Sequence, residues 1–232
     1  RESGANAVQE LAFDLAMGLE VVKAGIEMGL AVDDFAPRLS FHFGLHRNFF
    51  EEVCKIRAAR RLWARTMRER FGARNPKSWQ MRMLTQTCGS SLAYEEPLNN
   101  IARVALGAMA AVIAGTQALA TASYDEVYAI PTDEAQRIAL RTQQIIEHET
   151  GAADVADPLG GSYYVEWLTD RIEQEARSYL ERIEKMGGYV AALENGFVQQ
   201  ELARSAIKAQ QEIENGQQVL VGVNRYRTGE RA

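Results

Sequence analysis

The run Met-Arg-Met-Leu-Thr-Gln-Thr at residues 81–87, closed by Cys88, Gly89, Ser90 and Ser91, constrains the fold more than any other stretch. Apolar or β-branched residues alternate with longer polar ones, the period of a strand with one buried face, and the small residues after it open a loop. Helical patterns flank the run, over 48–71 before it and 97–114 after it. A strand between helices is the repeating unit of a parallel α/β sheet or barrel, where ligand sites gather at the C-terminal ends of strands. Thr85, Gln86 and Thr87 fall at that end. A core strand with an ordinary polar end fits the same residues.

Two more such units flank the first. Val8, Leu11, Ala12, Leu15, Ala16, Leu19, Val22 and Ile26 form one broad helix face that fades at Gly29. Asp33, Asp34 and Pro37 mark a connection, and residues 38–43 read as a strand. Leu39, Phe41 and Phe43 lie on one side of it, with Arg38, Ser40 and His42 on the other. Inside a barrel Arg38 needs a carboxylate, a phosphate or a bound polar group; at the opposite rim it needs only water. Both readings stay open. The helix over 48–71 turns Phe49, Val53, Ile56 and Trp63 toward the core. Its basic residues (Lys55, Arg57, Arg60, Arg61, Arg65, Arg68, Arg70, with Arg74 beyond) read as a solvated outer side, or else as a surface for an acidic or phosphorylated partner.

Pro97 suits the first turn of the next helix, whose inner face is Ile101, Val104, Ala105, Ala108, Met109 and Val112. Residues 116–122 read as a third strand of small side chains, with Asp125 and Glu126 beyond its end. Three units are too few to close a barrel of about eight strands, and a part-barrel exposes its edges.

After residue 126 the pattern is helical almost throughout. Thr132 reads as an N-cap ahead of Ile138, Ala139, Ile145 and Ile146, and Gly151 as a stop. Residues 152–162 form a turn-rich connection, and Thr169 reads as the N-cap of a helix through Ile172, Ala176, Leu180 and Ile183. A short helix over 189–194, a last helix over 198–214 and a small strand over 219–223 complete the chain. The division is thus a strand-containing part, 1–127, and a helical part, 128–232.

With 232 residues, 47% of them apolar, the chain can bury a sizeable core, and a formal net charge of −5 gives no case for nucleic acid. No apolar run is long enough to span a bilayer. The two cysteines, Cys54 and Cys88, lack metal-ligand company, which fits a reducing, cytoplasmic setting. The chain opens on Arg1-Glu2-Ser3-Gly4 without a methionine and reads as a piece of a longer polypeptide or a mature subunit.

Ser40, Gln86 and Gln117 are expected at comparable strand ends. With Arg38 and Glu126 they would line a single mouth holding amide donors and acceptors, one fixed positive charge and one carboxylate. That shared opening is the geometric premise of the site. It suits a neutral carbonyl or amide alongside hydroxyls. No Ser–His–Asp spacing or nucleophile elbow is present, and His42, His46 and His148 have no metal-ligand partners at a usual spacing. His46 reads as a loop histidine, and Cys88 as a small hydrophobe.

Separated matches in one order give a resemblance over nearly the whole chain. They include Phe35-Ala36-Pro37-Arg38-Leu39-Ser40-Phe41, Phe49-Phe50-Glu51-Glu52, Arg57-Ala58-Ala59-Arg60-Arg61-Leu62-Trp63-Ala64 and Gln86-Thr87. They continue through Pro97-Leu98-Asn99-Asn100, Gly115-Thr116-Gln117, Asp125-Glu126, Pro131-Thr132, Ala156-Asp157-Pro158, Gly187-Gly188 and Val221-Gly222-Val223-Asn224. In these the chain resembles the large catalytic subunit of the adenosylcobalamin-dependent acyl-CoA mutases, the methylmalonyl-CoA mutase family. The resemblance implies the C-terminal part of a TIM (β/α)8 barrel, strands six to eight, followed by a mostly helical extension. It implies that the Tyr-His strand and the substrate-carboxylate residues lie outside this chain, in a missing N-terminal barrel half. It also implies that cobalamin is held by a further domain or subunit, and that the whole is a homo- or hetero-oligomer with an acyl-CoA substrate.

By the same resemblance, Arg38 and Ser40 match residues touching acyl-CoA. Gln86 and Gln117 match glutamines lining the substrate and adenosyl chamber, Glu126 a carboxylate on the adenosyl ribose, and Glu2 a residue on the cobalamin side. The implied reaction is a radical 1,2-shift of a carbon group in a branched acyl-CoA, with adenosylcobalamin as cofactor. Leu84 stands where the family usually has a pocket histidine, and Ala120 and Ala122 replace a His and an Asn. Those departures point to a related acyl-CoA substrate, or to a noncatalytic binding or assembly subunit that kept the scaffold.

Overall fold

The computed structural model describes residues 1–228. Helix α1 (Ala7–Glu27) begins at Asn6, whose side chain accepts from Gln9 N while the Gln9 side chain accepts from Asn6 N. This reciprocal cap satisfies two amides that a helix start leaves free. Helix α2 (Val32–Phe35) and a 3-10 turn over Ala36–Arg38 lead into β1 (Ser40–Leu45). Helix α3 (Phe49–Glu69), capped by Asn48, and the single-turn α4 (Pro76–Trp79) lead to β2 (Arg82–Thr87). A 3-10 turn at Gly89–Ser91 follows, then α5 (Asn99–Ile113) and β3 (Ala118–Ala120). The remainder is α6 (Asp133–Glu149), α7 (Tyr163–Lys185), α8 (Tyr189–Glu194) and α9 (Phe197–Glu214).

The strands form one parallel sheet in the order β1-β2-β3. Phe41, Phe43, Leu45, Met83, Thr85 and Thr87 point to its buried face, where the apolar ones among them join a core with Leu11, Leu15, Val53, Ile56, Leu62, Trp63 and Ala110. Phe41 meets Trp63 edge-on, with ring centroids 5.0 Å apart. Gly18 lets α1 approach this pair, because a Cβ there would stand 2.8 Å from the Phe41 ring. The opposite face is bare: Ser40, His42, Arg82 and Leu84 are exposed, and Gly44 and Gln86 half-buried. Parallel sheets are ordinarily covered on both faces. A bare one therefore marks an incomplete layer, as in part of a larger barrel.

Helix α7 packs on α1 and α3 and supplies Val165, Ile172 and Ala176 to the core around the sheet. Polar contacts along this contact overturn the solvated reading of the basic run on α3. Arg57 grips both oxygens of Asp157 (2.9 and 3.0 Å) and also reaches Glu166 (2.8 Å). Arg61 pairs with Asp170 and Glu173, Arg65 with Glu173 at 3.0 Å, and Arg70 with Glu184. Successive arginines on one helix face meet the acidic face of its neighbour. Lys55, from the same run, is fully buried.

Other expectations need correction. Arg38 belongs to the 3-10 turn, so β1 starts at Ser40 and not at 38. The third strand is only Ala118–Ala120, and Pro97 precedes its helix, which starts at Asn99. Thr169 is not an N-cap: it lies inside α7, buried, and its hydroxyl donates to Val165 O at 2.7 Å. Ser162 holds the cap position. Residues 219–223 form no strand, only an isolated bridge between Val221 and Arg225.

Candidate functional site

Sheet register gives each residue a depth along the strands. Ser40 pairs with Arg82 at the N-terminal end, His42 with Leu84 and Ala118 in the middle, and Gly44 with Gln86 and Ala120 near the C-terminal end. From the first level to the last is four residues, or about 13 Å at the usual rise. Arg38 lies below Ser40, exposed, without an ion pair among the described residues. Gln117 precedes β3, and its carboxamide accepts from Met83 N (2.8 Å) and donates to Gly115 O (3.3 Å). It serves as a ladder rung where β3 has not yet begun. Glu126 lies beyond the other end of β3 and accepts from Ser123 N at 2.7 Å.

Arg38, Ser40, Gln86, Gln117 and Glu126 therefore do not share one mouth. Arg38, Ser40 and Gln117 belong to the N-terminal end, and Gln86 and Glu126 to the C-terminal end. The error arises because strand patterns show which face a residue takes but not how strands align in depth.

At the C-terminal end Glu2 accepts from Gly89 N (2.6 Å) and Ser90 N (3.0 Å), clamping the turn after β2. Arg47 donates to Ser90 O (2.8 Å) and Ser91 O (2.9 Å) and tightens the same turn. Burial, with Arg47 and Arg1 nearby, pushes the His46 imidazole down to about 4, so it is neutral near pH 7. Burial pushes the Cys88 thiol up to about 12, with Glu2 and Glu10 adding to it, so it has no thiolate character. The Gln86 side chain has no hydrogen-bond partner among the described residues and borders a cleft of about 320 Å³ with His42, Gly44, Glu10, Asp14 and Tyr189. Leu84 is 36% exposed on the bare face, and Ala120 shares that face. Ala122 does not: it is buried against Leu92 and Val104, and its amide donates to Thr87 Oγ1 at 2.8 Å.

A buried charge cluster under the cleft escapes the sequence reading. Lys55 contacts Glu10, lies 2.5 Å from Glu52 Oε2 and donates to Gly44 O at 2.5 Å, while Glu10 accepts from Gly44 N at 2.7 Å. Arg1 pairs with Glu51 (3.1 Å) and Glu52. Despite the burial penalty, Lys55 and Arg1 hold Glu52 below the usual carboxylate range, and Glu10 and Glu52 hold Lys55 above its ordinary value. Asp14 stands apart: burial and then Glu10 push it up to about 7, and its Oδ2 is buried without a partner. One signal was readable: Glu10, Glu52 and Lys55 interrupt the apolar stripes of α1 and α3.

Parallel strands backed by helices on one face, with free polar side chains along the other, define part of a larger α/β domain. Comparison with known proteins makes the assignment specific. The family model described as Methylmalonyl-CoA mutase matches residues 1–232, and the chain belongs to that family. It is 47% identical over 225 residues to the 2-hydroxyisobutanoyl-CoA mutase large subunit of Aquincola tertiaricarbonis, covering 97% of this chain and 40% of that one. To a probable mitochondrial methylmalonyl-CoA mutase of Caenorhabditis elegans it is 46% identical over 227 residues, covering 98% and 30%. To the methylmalonyl-CoA mutase of Rhizobium meliloti it is 48% identical over 227 residues, covering 98% and 32%. The chain thus spans 30 to 40% of the length of these relatives. Among the described residues no helix is long and apolar enough to cross a membrane.

Proposed function

We propose that this chain is one portion of an adenosylcobalamin-dependent mutase that rearranges the carbon skeleton of a branched acyl-CoA. It would be the last strands of a (β/α)8 barrel and the helices beyond them, completed by polypeptide outside this chain. The observation that carries the reading is the bare sheet face itself. It runs about 13 Å from Ser40 to Gln86 with polar groups at both ends and His42, Leu84 and Ala118 between. A long, thin ligand such as an acyl-CoA would lie along that face. Arg38 and Ser40 would hold its polar arm at one end, and Gln86 would meet the acyl thioester at the other.

The C-terminal end fits the adenosyl group. Glu126 uses one carboxylate oxygen on Ser123 N and keeps the other free, and a carboxylate accepts well from paired ribose hydroxyls. Glu2 would act indirectly, since both its oxygens are committed to the turn after β2. Adenosylcobalamin, when bound, supplies the radical chemistry. The residues of this chain bind, orient and exclude water: Leu84 and Ala118 put hydrocarbon on the β2 and β3 side of the middle of the face, beside the acyl carbons. Leu84 and Ala120 also favour a substrate other than an unaltered methylmalonyl-CoA, and they suit a noncatalytic subunit as the alternative.

The test is an isomerisation assay of the full-length protein, assembled with adenosylcobalamin, against a panel of branched acyl-CoAs. Turnover of at least one is expected. Cofactor binding without turnover of any would leave the noncatalytic reading in its place.

A further inference from the structure

We infer that His42 is a specificity-determining residue that hydrogen-bonds the carbonyl oxygen of the acyl thioester, a role that rests on the mutase reading above. His42 is at the midpoint of β1, exposed on the bare face, and its imidazole makes no hydrogen bond or ion pair among the described residues. Its register partners across the sheet are Leu84 and, beyond it, Ala118. At the next level toward the C-terminal end the row is Gly44, Gln86 and Ala120. Of the six positions in these two rows, His42 and Gln86 alone carry polar side chains.

The two are diagonal neighbours on one face, roughly 7 Å apart by sheet geometry, and both border the same cleft. An acyl thioester fits between them. An imidazole carries at least one N–H in either protonation state, so His42 donates whatever its charge. Gln86 offers a second donor to any further oxygen on the acyl group. Leu84 and Ala118 pack beside His42 and take the hydrocarbon branch. The substrate class this arrangement selects is a short, branched acyl thioester held by its carbonyl oxygen from the β1 side, with its alkyl carbons toward β2 and β3.

Binding of a branched acyl-CoA and of its matched thioether, in which a methylene replaces the carbonyl, is measured on the full-length assembled protein. The unaltered protein should prefer the thioester by about tenfold, the worth of one well-placed hydrogen bond. His42→Phe keeps the bulk and removes the donor, and it should bring the preference close to unity while raising KM more than it lowers kcat. His42→Gln should restore part of the preference. A preference undiminished in both variants overturns the role of His42 and leaves the mutase reading standing. Failure of the unaltered protein to bind either ligand overturns both.

Discussion

The Lys55 ammonium lies 2.5 Å from the carbonyl oxygen of Gly44, inside the core, and it holds the strand backbone where a neighbouring chain segment would ordinarily do so. Glu10 completes the grip from the amide side of the same residue. Removing one partner of a buried ionic cluster leaves the others desolvated and uncompensated. Lys55→Met is expected to destabilise the protein by about 3–5 kcal/mol, read as a lower urea midpoint. Lys55→Met with Glu10→Gln should recover part of the loss, and an additive pair would show that the contact is not energetic.

Asp14 gives the stability a pH slope of unusual sign. Its folded pKa of about 7 lies above the unfolded value, so the folded state binds more protons in between. Stability from this group is greatest at low pH and falls as pH rises, by roughly 4 kcal/mol from about pH 4 to about pH 7. Asp14→Asn should flatten that slope, stabilising the protein at pH 8 and changing little near pH 4. Thermal melts across the range provide the measurement.

Ion pairs between α3 and α7 differ in worth by burial. Glu173 is 4% exposed and receives Arg61 and Arg65 from α3, with Arg177 from its own helix, whereas Arg70 and Glu184 pair in the open. Glu173→Ala should cost about 3 kcal/mol, and Arg70→Ala at most about 1 kcal/mol. Raising the salt concentration should weaken the contribution of Arg70 and leave that of Glu173 nearly unchanged.

Gly44 has no room for a side chain. An added Cβ would fall 2.5 Å from Cys88 Sγ and 3.1 Å from Arg1 Cβ. Gly44→Ala should destabilise by about 1–3 kcal/mol through overpacking. Cys88→Ala in the same chain removes the nearer obstacle, so the double variant should be more stable than the sum of the singles predicts. Denaturation of the four proteins in a mutant cycle gives the coupling.

Much of the fold was legible because local chemistry decided it. The alternation in residues 81–87, the stripes of α1, α3 and α5, and the cap at Thr132 all act within a few residues. The family resemblance was legible for the same reason: matched segments survive in linear order. Thr169 was misread because a threonine's hydroxyl serves a cap and a mid-helix carbonyl alike, and only the neighbouring turn distinguishes them.

Depth, pairing and burial of charge were decided only by tertiary structure. Sequence alternation put Ser40 and Gln86 on exposed faces, but the β1–β2 register separated them along the sheet, and Gln117 turned its amide to a strand backbone. The arginines of α3 looked solvated because their partners, Asp157, Glu166, Asp170 and Glu173, lie about a hundred residues further on. By itself the sequence determined which residues favour a helix, a strand or a turn, and to which family they belong, since those are properties of near neighbours and of order. Which charges meet, and which polar groups share an end of the sheet, depend on contacts between distant segments, and those exist only once the helices have packed against the strands.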